Sequence, residues 1–426
     1  MKRAAQPSTR FGFLDVLRGV AAGIVVFQHA AEYQSMAYRK WATSTFRPGE
    51  MGVILFFLVS GFIVPVSLER YRTAQRFWVS RFFRLFPPYW FALVVALVAY
   101  LFGRYPIPAV TNVPSGFIER VEFFVTNIGM VPEFFRQPLV LGNAWTLGFE
   151  LIFYVLVTAF FLARFQKRSR EIAIAFMVGA AIVGALGAEP LSNLFNQGSR
   201  LTLIIAVAVV CIITAGIAML SNGFGGSTAL AIVLTLGAGL LFLNRGPALW
   251  FACLLLMTMF VGTVMYRAAV GEVSWKSAWA IYLGALVAIV IAHLGSFTVY
   301  ADPLSGAKLT MGAELATFFV AYGLFALGLV LRHVPIPKFF AWFGLISYSL
   351  YLSHPIVINA VPAFGVSVAH HAMLTVAVWM ACSIATAAFS YYLIEKPFMQ
   401  LGKKMARRVG DAPPEFSEAA PNSAAN

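Results

Sequence analysis

Residues 11–30 read FGFLDVLRGVAAGIVVFQHA, and the choice of fold turns on them. The stretch is long enough to cross a bilayer at ~1.5 Å of helical rise per residue. Yet it carries Asp15, Arg18 and His29. Ionisable groups at membrane depth are costly to desolvate, so they face a bundle interior or a wet cavity and mark function. On a helix, Asp15 and Arg18 are i,i+3 neighbours and can pair. Arg18 and His29 are eleven positions apart, close to three turns at ~100° per residue, so both lie on one face with ~16 Å of rise between them. One helix face thus offers a charge near one membrane surface and an acid–base group near the other.

The whole chain has the same character. Its 426 residues are 60% hydrophobic and 11% charged, with a mean hydropathy of +0.80. That excludes an ordinary soluble domain and predicts an all-α, polytopic transmembrane bundle. The formal charge of +14 comes from Lys and Arg clustered at the ends of apolar runs, a positive-inside pattern rather than a nucleic-acid footprint. Cys211, Cys253 and Cys382 each sit in an apolar run without paired spacing and read as core residues. The first apolar run lacks a small-residue cleavage site and is followed by more spans, so no cleavable signal peptide is expected.

Apolar length predicts spans at about 11–31, 50–68, 85–103, 145–163, 171–188, 201–220, 227–243, 248–266, 277–295, 312–331, 340–360 and 372–394. That is twelve, with ten as the alternative count because 227–243 and 248–266 are the weakest. With the N-terminus inside, 22 of the 31 Lys and Arg residues fall on the inner side, which places both termini in the cytoplasm. The expected organisation is a basic segment at 1–10, a transmembrane domain at 11–400, and a polar, disordered cytoplasmic tail at 401–426. A long outer loop at 104–144 contains an amphipathic piece, GFIERVEFFVTNIG, suited to the membrane surface or to covering a site.

Three further stretches carry chemistry. Between the second and third spans, ERYRTAQRFWVSRFFRLFPPYW puts Arg81 and Arg84 at i,i+3 against an apolar run. The pair reads as a phosphate fork or as an ordinary headgroup contact; Pro87 and Pro88 are expected to reset the chain there. At the outer start of span four, WTLGFELIFY places Glu150 at about the depth of His29. A carboxylate that holds a histidine tautomer raises its basicity, suiting general-base work on a hydroxyl; the alternative is a structural pairing with an arginine. In span eleven, GLISYSLYLSHPIVI gathers Ser347, Tyr348 and His354 with further hydroxyls, for a site or for plain helix packing. Ser60-Gly61, in FFLVSGFIV, reads as a close helix contact, and Glu395-Lys396-Pro397 as a structural stop. His293, His333, His370 and His371 receive no role.

These stretches together resemble the membrane-bound acyltransferase 3 family. The matching residues are Leu14-Asp15-Val16-Leu17-Arg18-Gly19, the Arg18-to-His29 spacing, Phe56–Phe62, Arg81 with Arg84, Trp145–Glu150, Ser347–His354 and Glu395–Phe398. The resemblance implies an O-acyltransferase of the bacterial plasma (inner) membrane. It would move an acyl group, usually acetyl, from cytoplasmic acyl-CoA to a cell-envelope or exported glycan or a glycosylated small molecule. Arg81 and Arg84 would hold the CoA phosphates, Arg18 would lie along the pantetheine arm, and His29, oriented by Glu150, would be the base. Asp15, Ser347, Tyr348 and His354 would support the substrates. No metal is implied. Some family members carry a hydrolase-like domain outside the membrane; without one, transfer is complete in the membrane part or uses a separate extracytoplasmic partner protein. The competing class is a transporter of a polar or anionic solute, for which paired broken helices in two related halves are not seen.

Overall fold

A computed structural model describes residues 11–105, 116–135, 137–187, 230–232, 234–235, 238–239, 249–360 and 371–409. The predicted spans at 201–220 and, apart from short helical pieces, 227–243 lie outside the described residues, as do Cys211 and His370. Among the described residues the chain is a bundle of helices with no strand beyond one isolated bridge, Ala301 to Lys308.

The helices are α1 Gly12–Gln34, α2 Met36–Ser44, α3 Pro48–Tyr71, α4 Ala74–Leu101, α5 Phe117–Ile128, α6 Trp145–Leu162 and α7 Ser169–Leu186. They continue with α8 Leu249–Ala269, α9 Trp275–Ser296, α10 Met311–Val330, α11 Lys338–Leu345, α12 Ser347–Ala360, α13 Ala372–Ser390 and α14 Lys396–Arg408. Among the described residues, nine helical segments are long and apolar enough to cross a membrane, and α11 with α12, bent by 64°, makes a tenth. This is an integral, multi-pass membrane protein.

The outer helices show why. On α9, Leu283, Val287, Ile291 and Leu294 are exposed while Tyr282, Ala285, Ile289 and Ala292 are buried. On α7, Ile174, Val178, Ile182 and Leu186 are exposed opposite Ala173, Ala180 and Gly184. A helix apolar on both faces suits protein on one side and lipid on the other. Helix α5 behaves differently. Phe117, Ile118, Val121, Phe124 and Val125 form an exposed apolar strip. Its end is pinned to α4 by Tyr89 Oη donating to the Asn127 carbonyl (2.7 Å) and Trp90 Nε1 to that of Ile128 (3.0 Å).

At the centre, α1 packs on α3, α11, α12 and α13, and α3 packs on α8 and α10. Lipid tails give apolar helices no solvent-driven reason to associate, so close approach over small residues must supply the contact energy. Gly61 of α3 faces the Met259 backbone of α8, where a Cβ would overlap the Met259 carbonyl. Reciprocally, Gly262 faces Leu58. Thr263 Oγ1 then donates to the Gly61 carbonyl at 2.9 Å.

Three expectations are corrected. Pro87 and Pro88 do not reset the chain: α4 runs through both, so Arg81 and Arg84 lie within a transmembrane helix rather than before one. Prolines are tolerated in membrane helices where neighbouring helices support the backbone, and here α12 packs alongside, with Tyr348 Oη donating to the Leu85 carbonyl at 2.8 Å. Glu395-Lys396-Pro397 is no stop: helix continues from α13 through a π-helical turn, Tyr391–Glu395, into α14. The expected tail at 401–426 therefore starts with about two turns of helix, Leu401–Arg408.

Gly61→Ala should lower the Tm of detergent-purified protein, because overfilling a packed contact costs about 1–3 kcal/mol. Gly179→Ala, where a Cβ meets nothing within 4 Å, is the control and should not. Equal Tm values for both variants would refute the α3–α8 contact.

Candidate active site

Three cavities lie in series through the middle of the bundle. The first, about 530 Å³, opens where α1 begins, and Asp15, Arg18, Arg70, Arg81, Arg84, Glu395 and Lys403 line it. The second is only about 60 Å³ and shares Arg18, Arg81 and Arg84 with the first, adding Phe56, Phe57, Ser60, Glu150, Tyr348 and Tyr351. The third, about 720 Å³, opens where α1 ends; it shares Val53 and Tyr351 with the second and holds His29. The face of α1 that carries Arg18 and His29 thus runs the length of one path.

At the first end, arginines from two helices converge. Arg81 is buried, its guanidinium carbon 5.3 Å from the ring centres of both Phe77 and Tyr154. Such cation–π contacts offset part of the desolvation of a buried charge. Its Nε has no hydrogen-bond partner. Carboxylates face the cluster from two sides. Glu150 accepts from Tyr154 Oη and from Ser60 Oγ (3.3 Å). Glu395, only 2% exposed, accepts from Ser349 Oγ at 2.7 Å.

At the other end His29 faces the open third cavity. Its Nδ1 lies 2.8 Å from the Val25 carbonyl. A carbonyl can only accept, so Nδ1 carries the hydrogen and the neutral ring keeps its lone pair on Nε2. The ring centre of His354 is 5.1 Å from that of His29. His354 is fully buried, its Nδ1 3.2 Å from the Leu350 carbonyl and its Nε2 without a partner. Tyr351 separates this pair from the second cavity; its Oη donates to the Asn143 carbonyl at 2.9 Å.

The structure brings together most of the residues singled out from sequence, with one change of partner. Arg18, Arg81, Arg84, Asp15 and Tyr348 share the arginine end, and His29 and His354 share the other. Glu150 joins the arginine end through Ser60 and Tyr154, and His29 is not among its hydrogen-bond partners; the Val25 carbonyl orients the imidazole instead. Ser347 is buried and caps locally, donating to the Gly344 carbonyl at 2.8 Å.

Sequence reasoning missed Glu395, read as a stop, and an ionic cluster lining the third cavity. Arg47 bridges Glu50 and Glu314 (3.1 Å to Glu314), and His293, given no role, sits with Nε2 3.3 Å from Glu314. Glu50 and Glu314 each occupy the first turn of an apolar span, and that shared depth was the available signal. The rim of this cavity, Phe297 to Tyr300, is tethered by Asp302, which accepts from Arg39 Nε and Nη2 at 2.7 and 2.8 Å.

A family profile described as an acyltransferase domain matches residues 11–395. The chain is 26% identical over 422 residues to nodulation protein 10 of Rhizobium leguminosarum bv. viciae, covering 93% of this chain and 96% of that protein. It is 26% identical over 201 residues to the peptidoglycan O-acetyltransferase OatA of Listeria monocytogenes, or 44% of this chain and 30% of OatA. It is 34% identical over 116 residues to the exopolysaccharide production protein ExoZ of Rhizobium meliloti, or 26% and 33%. The match therefore spans nearly all of the first relative and about a third or less of the other two. No solved structure matches.

The paired Arg39 and the Ser305 hydroxyl and amide hold the Asp302 carboxyl well below the usual carboxylate range. A carboxyl more acidic in the fold than in the unfolded chain stabilises fully above its unfolded pKa, about 4, and progressively less as pH falls below it. Asp302→Asn should therefore lower the Tm at pH 7, with the gap to wild type narrowing below about pH 4. A gap unchanged from pH 7 to pH 3 would show that charge is not what holds the rim.

Proposed function

The chain belongs to the acyltransferase 3 family, and from that premise we propose that it transfers an acetyl group from cytoplasmic acetyl-CoA to a hydroxyl of an envelope or exported glycan. The observation that carries this reading is the path itself, with a cluster of guanidinium groups at one end, Arg81 Nε among them without a hydrogen-bond partner, and an imidazole whose Nδ1 is held by a carbonyl at the other. The names of the relatives favour a carbohydrate acceptor. The positive-inside pattern favours a cytoplasmic arginine end and both termini in the cytoplasm of a bacterial inner membrane.

In this reading Arg81 and Arg84 hold the nucleotide phosphates in the first cavity, with Arg18 along the arm that carries the thioester. Planar, multi-donor guanidinium groups suit phosphate oxygens. Glu395, Asp15 and Glu150 keep the cluster from repelling itself, and Tyr348 fixes α4 against α12. In the third cavity the acceptor hydroxyl gives its proton to His29 Nε2 as its oxygen attacks the thioester carbonyl carbon. The tetrahedral intermediate collapses with cleavage of the C–S bond, and the departing thiolate takes the proton from the imidazolium. Ester and free CoA leave, and His29 returns to its starting state. The Val25 carbonyl stabilises the imidazolium and fixes its orientation; His354, packed against it, keeps the ring in place.

His29→Ala should reduce transfer by about 10²–10⁴-fold, the range expected for loss of a general base, while acetyl-CoA binding by calorimetry stays intact. Full transfer by His29→Ala would sink the mechanism. Arg81→Ala combined with Arg84→Ala should raise the acetyl-CoA Kd by about tenfold per arginine, because hydrogen bonds to charged groups contribute ~1.5–3 kcal/mol each. Unchanged affinity would move the donor elsewhere.

A further inference from the structure

The cations of the first cavity fall into two tiers. Arg18, Arg81 and Arg84 also line the narrow second cavity, whereas Arg70 and Lys403 line only the first. Burial follows the same division. Arg81 is buried and Arg18 and Arg84 are half-buried, but Arg70 and Lys403 are exposed. Among the described residues, the carboxylates lining this cavity are Asp15 and Glu395, with Glu150 lining the second. Five cations against three carboxylates leave the arginine end positive.

Two helices hold the outer tier. On α3, Ser67, Arg70 and Tyr71 line the cavity together, sharing a face by their i,i+3 and i,i+4 spacing. Tyr71 Oη donates to Ser80 Oγ at 2.7 Å, which ties that last turn to α4. The preceding Glu69 is drawn elsewhere: it pairs with Arg267 of α8 and accepts from Tyr266 Oη at 2.9 Å. On α14, Met399 and Lys403 line the cavity as i,i+4 neighbours. Gly402 lies against the Phe83 side chain of α4, and the rings of Phe398 and Phe83 stack with centres 6.5 Å apart. That packing fixes the rotation of α14 and turns Lys403 to the mouth.

The order along the path decides what each tier meets. Coenzyme A carries a diphosphate, from which its neutral arm leaves, and a separate monoester phosphate at the ribose 3′ position, on the nucleotide side. An arm entering the second cavity leaves the diphosphate beside the three arginines that line both cavities. The 3′-phosphate then falls on the mouth side, and a phosphate monoester carries about −1.5 to −2 charge at pH 7. We propose that Arg70 and Lys403 form a second phosphate subsite that reads this group, so that acetyl-CoA is preferred to acetyl-3′-dephospho-CoA. A planar guanidinium and a mobile ammonium, arriving from different helices, both donate to its oxygens. This inference rests on the donor reading above.

Calorimetry on the full-length protein in nanodiscs of zwitterionic lipid, titrated with each of the two donors, tests it. Wild type should bind acetyl-CoA about tenfold more tightly than the dephospho form, as expected for charge-assisted contacts at an exposed mouth. Arg70→Gln combined with Lys403→Gln should weaken acetyl-CoA by about tenfold and leave the dephospho form unchanged, erasing the preference. Lys404→Gln removes the same charge one position along α14, at a residue that does not line the cavity, and should keep the preference. Equal affinities in wild type, or a double variant that weakens both donors alike, would overturn the subsite while leaving acetyl-CoA as donor. A Lys404→Gln effect as large as that of Lys403→Gln would also overturn it, by showing a diffuse field instead of a contact. No saturable binding of either donor to folded protein would overturn the donor reading and this one with it. Should the double variant not fold, Lys403→Gln alone should narrow the preference by about threefold, and an unchanged preference there would refute the subsite.

Discussion

A guanidinium inside an apolar bundle has to be answered by opposite charge, by a ring face or by water, because none of its hydration survives in lipid. Arg18, Arg81 and Arg84 impose that requirement on two helices at once. The structure answers with all three: Asp15, Glu150 and Glu395 around the cluster, Phe77 and Tyr154 beside Arg81, and a cavity that reaches the bundle's end. Each carboxylate arrives on a different helix and would be costly alone. Only when α1, α4, α6 and the turn before α14 come together does any of these charges become tolerable. The site and the fold are therefore one solution to one electrostatic problem.

What lets the helices meet is the smallness of residues at their crossings. Gly52 faces the Ala21 carbonyl of α1, Gly61 and Gly262 bring α3 and α8 into backbone contact, and Gly344 sits on the Asp15 backbone. The last contact has reach beyond packing. Gly344 lies at the end of α11, just before the 64° bend into α12. From that anchored corner α12 carries Tyr348 to Leu85, Ser349 to Glu395 and, a turn and a half later, His354 to His29. One close approach therefore sets the alignment at both ends of the path.

Much of this was legible in the sequence, for a definable reason. Helical rise and periodicity fix how deep a residue lies and which of its own neighbours share its face, so Arg18 and His29 could be placed along the membrane normal before any packing was known, whereas Arg81 and Arg84 were set outside a span that in fact contains them. The same rules say nothing about how one helix is rotated toward another. Glu150 and His29 were matched by depth, yet Glu150 turns toward Arg81 because Tyr154 and Ser60 hold it there. The cluster of Arg47, Glu50, His293 and Glu314 was invisible for a related reason. Its members come from α3 and, more than 200 residues later, from α9 and α10, each looking like an ordinary polar residue at a span end. Glu395 was misread because Pro397 suggests a break, whereas the backbone passes it in continuous helix, with the π-helical turn Tyr391–Glu395 just before it.

The narrowness of the middle cavity completes the argument about direction. At about 60 Å³, and walled by Phe56, Phe57, Leu85 and Leu147, it suits a slender neutral chain and not a hydrated phosphate. Phosphates pulled through it would leave the arginines and lose their water together, a double electrostatic penalty in a low-dielectric passage. A thioester on a flexible neutral arm carries no such penalty. In the proposed reading, a donor anchored by its charge at Arg81 and Arg84 would offer only its uncharged end to His29, and the acyl group would be released into the third cavity. On this view a donor can be held at one end of the path and react at the other without a moving gate. It follows from where along the path a negative charge can be accommodated.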